Sequence, residues 1–193
     1  MNNKLISIIA LALLVMVGSH ARAGLIFNNT NDQLLGADNV LVNGMLYDVR
    51  FMDGTCVSLY TGCDDVSDFL FQTPWTATAA LQALTDMFAA TNYTPTPGVF
   101  SGCEDSKSDV CNIVNPYKRN SRNQASAERL VYRPGFRNVV LSTMFDVEDD
   151  STIAGRTNFA VWKTAVKVNS PSTVAIFALG LLGLASRRFK KQS

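Results

Sequence analysis

The sequence predicts an α+β domain, an antiparallel β-meander packed by one amphipathic helix, with a transmembrane helix at the C-terminus. Three observations carry this. Alternating apolar runs are joined by Asn43-Gly44 and Asp53-Gly54, pairs that supply the positive φ angles of tight hairpins. Trp75 to Thr91 holds an apolar stripe at helical spacing. Val168 to Ser186 carries no charge and runs into a basic cluster.

In chain order, Lys4 precedes an uncharged run from Leu5 to Gly18, and Ala21-Arg22-Ala23 places small residues at the two positions that signal peptidase reads. Residues 1–23 are therefore expected to be a signal peptide, cut after Ala23. The apolar run is too short to be read first as a membrane span. Residues 24–168 are of a size that buries its own core, and no internal repeat divides them. Asn39 to Val42 forms the first expected strand. Leu46 to Phe51 forms the second, with Tyr47, Val49 and Phe51 on one face and Asp48 and Arg50 on the other. Thr55 to Tyr60 is expected to return as a third. One face of this meander needs a cover. Thr73 can cap a helix that Pro74 opens, and Ala77, Ala80, Leu81, Leu84, Met87 and Phe88 would face the sheet. Pro95 and Pro97 end it. Thr94 to Pro134 reads as a long polar loop. Arg137 to Phe145 and Arg156 to Val166 read as two further strands around the acidic turn Asp146 to Ser151. The order β-β-β-α-loop-β-β is an α+β pattern. Trp162 is expected in the core, with its ring N–H bonded.

The uncharged stretch Val168 to Ser186 would reach roughly 28 Å as a helix, against about 30 Å of bilayer hydrocarbon. A helix is the way one such segment satisfies its backbone in lipid. Arg187, Arg188, Lys190 and Lys191 would hold their flank in the cytoplasm and leave the body outside. The alternative, a buried helix of a soluble fold, conflicts with that basic end.

Pro171-Ser172-Thr173, the Ala/Leu/Gly-rich helix with Gly180 and Gly183, and the Arg187-Arg188 stop together resemble the PEP-CTERM sorting signal of Gram-negative bacteria. The resemblance covers residues 169–193. It implies a substrate of the membrane protease-transpeptidase exosortase, held in the inner membrane and then passed to the cell surface or the exopolysaccharide matrix. The family's Pro-Glu-Pro reads Asn169-Ser170-Pro171 here, so only the second proline is kept. An uncut chain would be a single-pass membrane protein. The stretch VLVNGMLYDVRFMDGTC with the later FAVW also resembles a group of exported PEP-CTERM proteins, which implies a fold and an address but no chemistry.

Residues 24–169 carry 11 basic and 16 acidic side chains, a net charge of −5. That argues against nucleic acid, which needs a concentrated basic surface. Most of the acids lie before residue 111 and most of the bases after it, so the halves should pair or show faces of opposite sign. The only histidine, His20, lies in the signal peptide. The mature body therefore has no Ser-His-Asp or Cys-His machinery and no His-ligated metal. Cys56, Cys63, Cys103 and Cys111 are an even set in an exported chain, and three pairings are possible. Cys56–Cys63 and Cys103–Cys111 are favoured, being close in sequence and flanked by Gly and Asp. A Cys₄ zinc site would want closer pairs. No cofactor is implied.

Three site candidates follow. Asp146, Glu148, Asp149 and Asp150, or Asp64, Asp65 and Asp68, could gather oxygen around Ca²⁺, but neither run has the loop such sites use, and solvated turns are the plainer reading. Tyr117, Lys118, Arg119, Arg122, Arg129, Tyr132 and Arg133 could bind an acidic exopolysaccharide through Arg forks and Tyr faces. The plainer reading is a linking loop that balances the acidic half. Carboxylate pairs could run glycoside hydrolysis without histidine, at a separation that sequence does not display. The expected role is thus an exported surface or matrix protein with a structural or interaction function and not an enzyme. The alternatives are a weak polysaccharide-binding module, centred on Tyr117, Arg119, Arg122 and Tyr132, and a carboxylate-based glycosidase.

Overall fold

The sheet starts thirteen residues earlier than the alternation suggests. A computed structural model describes residues 24–103, 109–149 and 156–166. In it β1 (Ile26–Thr30) turns through Asn31 and Asp32, both at positive φ, into β2 (Gln33–Val42). A bulge at Asn39 (φ 62°) breaks the register of β2 against its neighbour, and the Asn39 N–H donates to Asp48 Oδ1 at 3.0 Å. This bulge obscures the period of β2. The Asn43-Gly44 turn is as expected: φ angles of 48° and 84° join Val42 to Met45, the first residue of β3 (Met45–Met52). Gly36 is required by close approach. A Cβ there would lie 2.1 Å from the carbonyl oxygen of Val49 on β3.

The expected third strand is instead helical. Thr55 caps α1 (Cys56–Leu59), and Ser58 bonds back to the Thr55 N–H in a capping box. The local hydrogen bonds of Thr and Ser and the seven-residue Cys56–Cys63 bridge favour a tight turn over extension. The chain then reaches α2 (Pro74–Thr91). Its Thr73 cap, its Pro at the first turn and its six buried residues match the expected stripe. Leu81 and Leu84 are wholly buried, and each contributes about 2–3 kcal/mol by leaving water. Asn92, at φ 51°, ends the helix in the left-handed cap conformation.

The expected long loop holds two strands, β4 (Cys111–Arg119) and β5 (Gln124–Tyr132). They are followed by β6 (Val139–Asp146) and β7 (Thr157–Thr164), which match the last two expected strands. All seven strands form one sheet in the order β1-β2-β3-β7-β4-β5-β6. The last strand is inserted in the middle. It runs antiparallel to β3 and parallel to β4, and every other pairing is antiparallel.

Both faces of the sheet are covered. Ile113, Leu130, Tyr132, Ala160 and Trp162 share one core with β3 and α2, whereas Val114, Ala125, Ala127 and Phe159 share another with Cys56, Tyr60, Cys63 and Phe69. Neighbouring residues of one strand fall in different cores, so the cores lie on opposite faces. Burial on both sides erases the apolar–polar alternation, and this is why β4 and β5 read as a loop. Trp162 is in the core as expected, its ring 5.5 Å from that of Phe71. Its Nε1–H, however, has no partner among the described residues, contrary to expectation.

The coarse class therefore stands: a mostly β structure with one main helix. Among the described residues no helix is long and apolar enough to cross a membrane. The expected transmembrane segment, the cleavage residues Ala21 and Ala23, and the sorting residues Pro171, Ser172, Thr173, Arg187 and Arg188 lie outside the described residues.

Candidate functional site

A cleft opens where β4 and β7 part. The two strands pair over only three positions, Asn112–Val114 against Thr157–Phe159. Next on β4 come Asn115 and then Pro116, which has no N–H to give a ladder, and the register against β5 shifts immediately after it. From there β4 stays with β5 while β7 stays with β3. The fork encloses about 340 Å³, near the lower end of small-molecule pockets. Tyr60, Phe69 and Trp162 supply aromatic lining, and Asp68, Gln72 and Asn115 supply polar groups.

Much of that polarity already holds the fold. The Tyr60 hydroxyl donates to the Ala160 carbonyl at 3.0 Å, and burial pushes its phenol pKa up. Asn115 Nδ2 donates to the Ala77 carbonyl of α2 at 3.3 Å. Asp68 accepts the backbone N–H groups of Asp64 and Asp65. Among the described residues Asp68 is the one carboxylate that lines the cleft.

The residues singled out in the basic-aromatic stretch are dispersed along a hairpin. Arg119 ends β4, and its guanidinium donates to the carbonyls of Cys63 and Ser121, each at 2.7 Å, and to that of Arg122. It is a clasp between the β4–β5 turn and the Cys56–Cys63 loop. Tyr132 sits at the far end of β5, opposite Cys111, and only 3% of it is exposed. Its ring packs on Phe100 and Phe88, and its hydroxyl donates to the Pro95 carbonyl. Burial, with Tyr93 nearby, pushes its pKa up to about 12. Tyr117 is half-buried against the α2-side core. Of the residues singled out, Lys118 and Arg122 are exposed at the turn, and Arg133 is exposed beyond the far end of β5. The four candidate ligand residues therefore do not share one surface.

Both favoured disulfides form, Cys56–Cys63 and Cys103–Cys111, each with Cα atoms 5.7 Å apart, and no cysteine is left free among the described residues. Among those residues no three His, Cys, Asp or Glu side chains gather as metal ligands. The acidic runs serve turns. Asp65 caps a 3-10 turn over Val66–Asp68 and accepts Ser67 N–H and Oγ–H, which holds its carboxyl below the usual range. Asp146 accepts the Glu148 N–H.

No protein-family model matches the chain, and no curated protein or solved structure does so.

Proposed function

We propose that this is an exported interaction domain, delivered to the cell surface or extracellular matrix by its PEP-CTERM-like tail. Exosortase and signal peptidase are its processing partners. The observation that best supports this reading is the pair of buried disulfides, which use all four cysteines and suit an oxidising compartment. A second support is positional. The compact unit begins at Gly24, the residue that cleavage after Ala23 would expose, and the Asn39 side chain holds the Gly24 carbonyl at 2.9 Å. Fractionation of cells with and without exosortase tests it. The expected result is membrane-associated protein without the enzyme and released or surface protein with it; cytoplasmic protein in both would end the proposal.

A polysaccharide-binding role narrows to the hairpin turn, where Lys118 and Arg122 are exposed. A Lys118→Ala, Arg122→Ala double variant should lose retention on acidic exopolysaccharide. Arg119 is unsuitable for this test because its loss would loosen the turn itself.

A further inference from the structure

The two edges of the sheet are unlike. β1 is five residues long, bears three consecutive polar residues (Asn28, Asn29 and Thr30) and has a register break between Asn28 and Asn29. Such features blunt an edge against pairing. β6, the other edge, pairs with β5 over eight positions without a break. It contains no Pro, Gly, Lys or Arg, and Val139, Leu141 and Met144 are 44%, 43% and 66% exposed. A long, regular and apolar edge of this kind is a template for another strand.

The charges flanking β6 indicate which strand. Arg133 and Arg137 precede it, both exposed. Arg133 is held 5.0 Å over the ring of Phe136. Asp146 closes the strand, and the exposed Glu148 and Asp149 follow. The edge is thus basic at its start and acidic at its end. A parallel neighbour with the same charges would set like against like. An antiparallel copy would set each basic end against the partner's acidic end, twice over.

We propose that β6 pairs antiparallel with β6 of a second copy, about a two-fold axis through Ser142, so that the two sheets become one. In an antiparallel ladder, residues whose backbone groups point outward must oppose each other, so a symmetric register centres on a residue. Centring on Ser142 places Val139 opposite the partner's Phe145 and Val140 opposite the partner's Met144. It engages all seven residues from Val139 to Phe145. Each face of the joined sheet gains apolar pairs, and the exposed Met144 acquires a neighbour.

The test uses the full-length protein purified in mild detergent, with mass followed by sedimentation across concentration and with hydrogen exchange read at β6. The expected wild type is a dimer whose β6 amides exchange more slowly as concentration rises. Arg137→Glu alone, or Glu148→Arg alone, should weaken the dimer at least about tenfold, because the symmetry counts each change twice. The double variant should restore it, which also shows that the single variants still fold. A monomer at all concentrations would overturn the proposal. So would a dimer with β6 exchange independent of concentration, or one indifferent to the charge swap.

Discussion

Arg119 has three backbone carbonyls around its guanidinium, one of them on the disulfide loop 56 residues earlier in the chain. Arg119→Ala should therefore cost about 2–3 kcal/mol in urea unfolding. Arg122→Ala, at an exposed position, should stay within about 0.5 kcal/mol. At Gly36 the limit is space, since a methyl group would strike the Val49 carbonyl oxygen. Gly36→Ala should cost about 2–3 kcal/mol in the same assay. Tyr60 and Tyr132 have folded pKa values above their unfolded ones, so their contribution is complete below the unfolded value near 10 and is lost as pH rises beyond it. Absorbance titration of phenolate should find these two among the five tyrosines resisting ionisation until the fold gives way. Some residue-scale facts were legible in sequence. Short spacing and flanking turn residues pointed to the right cysteine partners. The role of Arg119 was hidden, because a carbonyl acceptor leaves no mark in the side-chain sequence, and Tyr132 looked like part of a loop because its strand did.

At the level of elements, α2 was readable because one side of it faces solvent and its stripe is unmixed. Its start was readable too, and Thr73→Ala should cost about 1 kcal/mol, measured by thermal or urea unfolding. The β4–β5 hairpin was not readable. Asn115 and Pro116 interrupt β4, and apolar residues occupy both of its faces. The cleft was hidden for the same reason, although Pro116 inside a run of Ile, Val and Tyr was the available signal that a ladder ends there. α1 was mistaken for a strand because six residues between turns show no helical period, whereas the Thr55–Ser58 pair marks a cap. The disulfides brace these less regular parts. Replacing either pair with serines should lower stability by about 2–3 kcal/mol, seen as a lower urea midpoint.

On the scale of the whole molecule, α2 covers one face of the sheet and the α1 segment covers part of the other, with β1 and β6 as the two edges. The class was legible because helix and hairpin signals are local. The strand order was not, because nothing near β7 in sequence shows that it lies between β3 and β4. That position also sets a timetable. Strands β1 to β3 and strands β4 to β6 are two separate ribbons until β7, completed only at Thr164, laces them together. A chain that stops before β7 can still form both ribbons and lay α2 against them, but nothing then joins the ribbons into one sheet. Stopping the chain before Thr157 should weaken the far-ultraviolet sheet signature and lower the urea midpoint, and restoring the eight residues Thr157–Thr164 should bring both back.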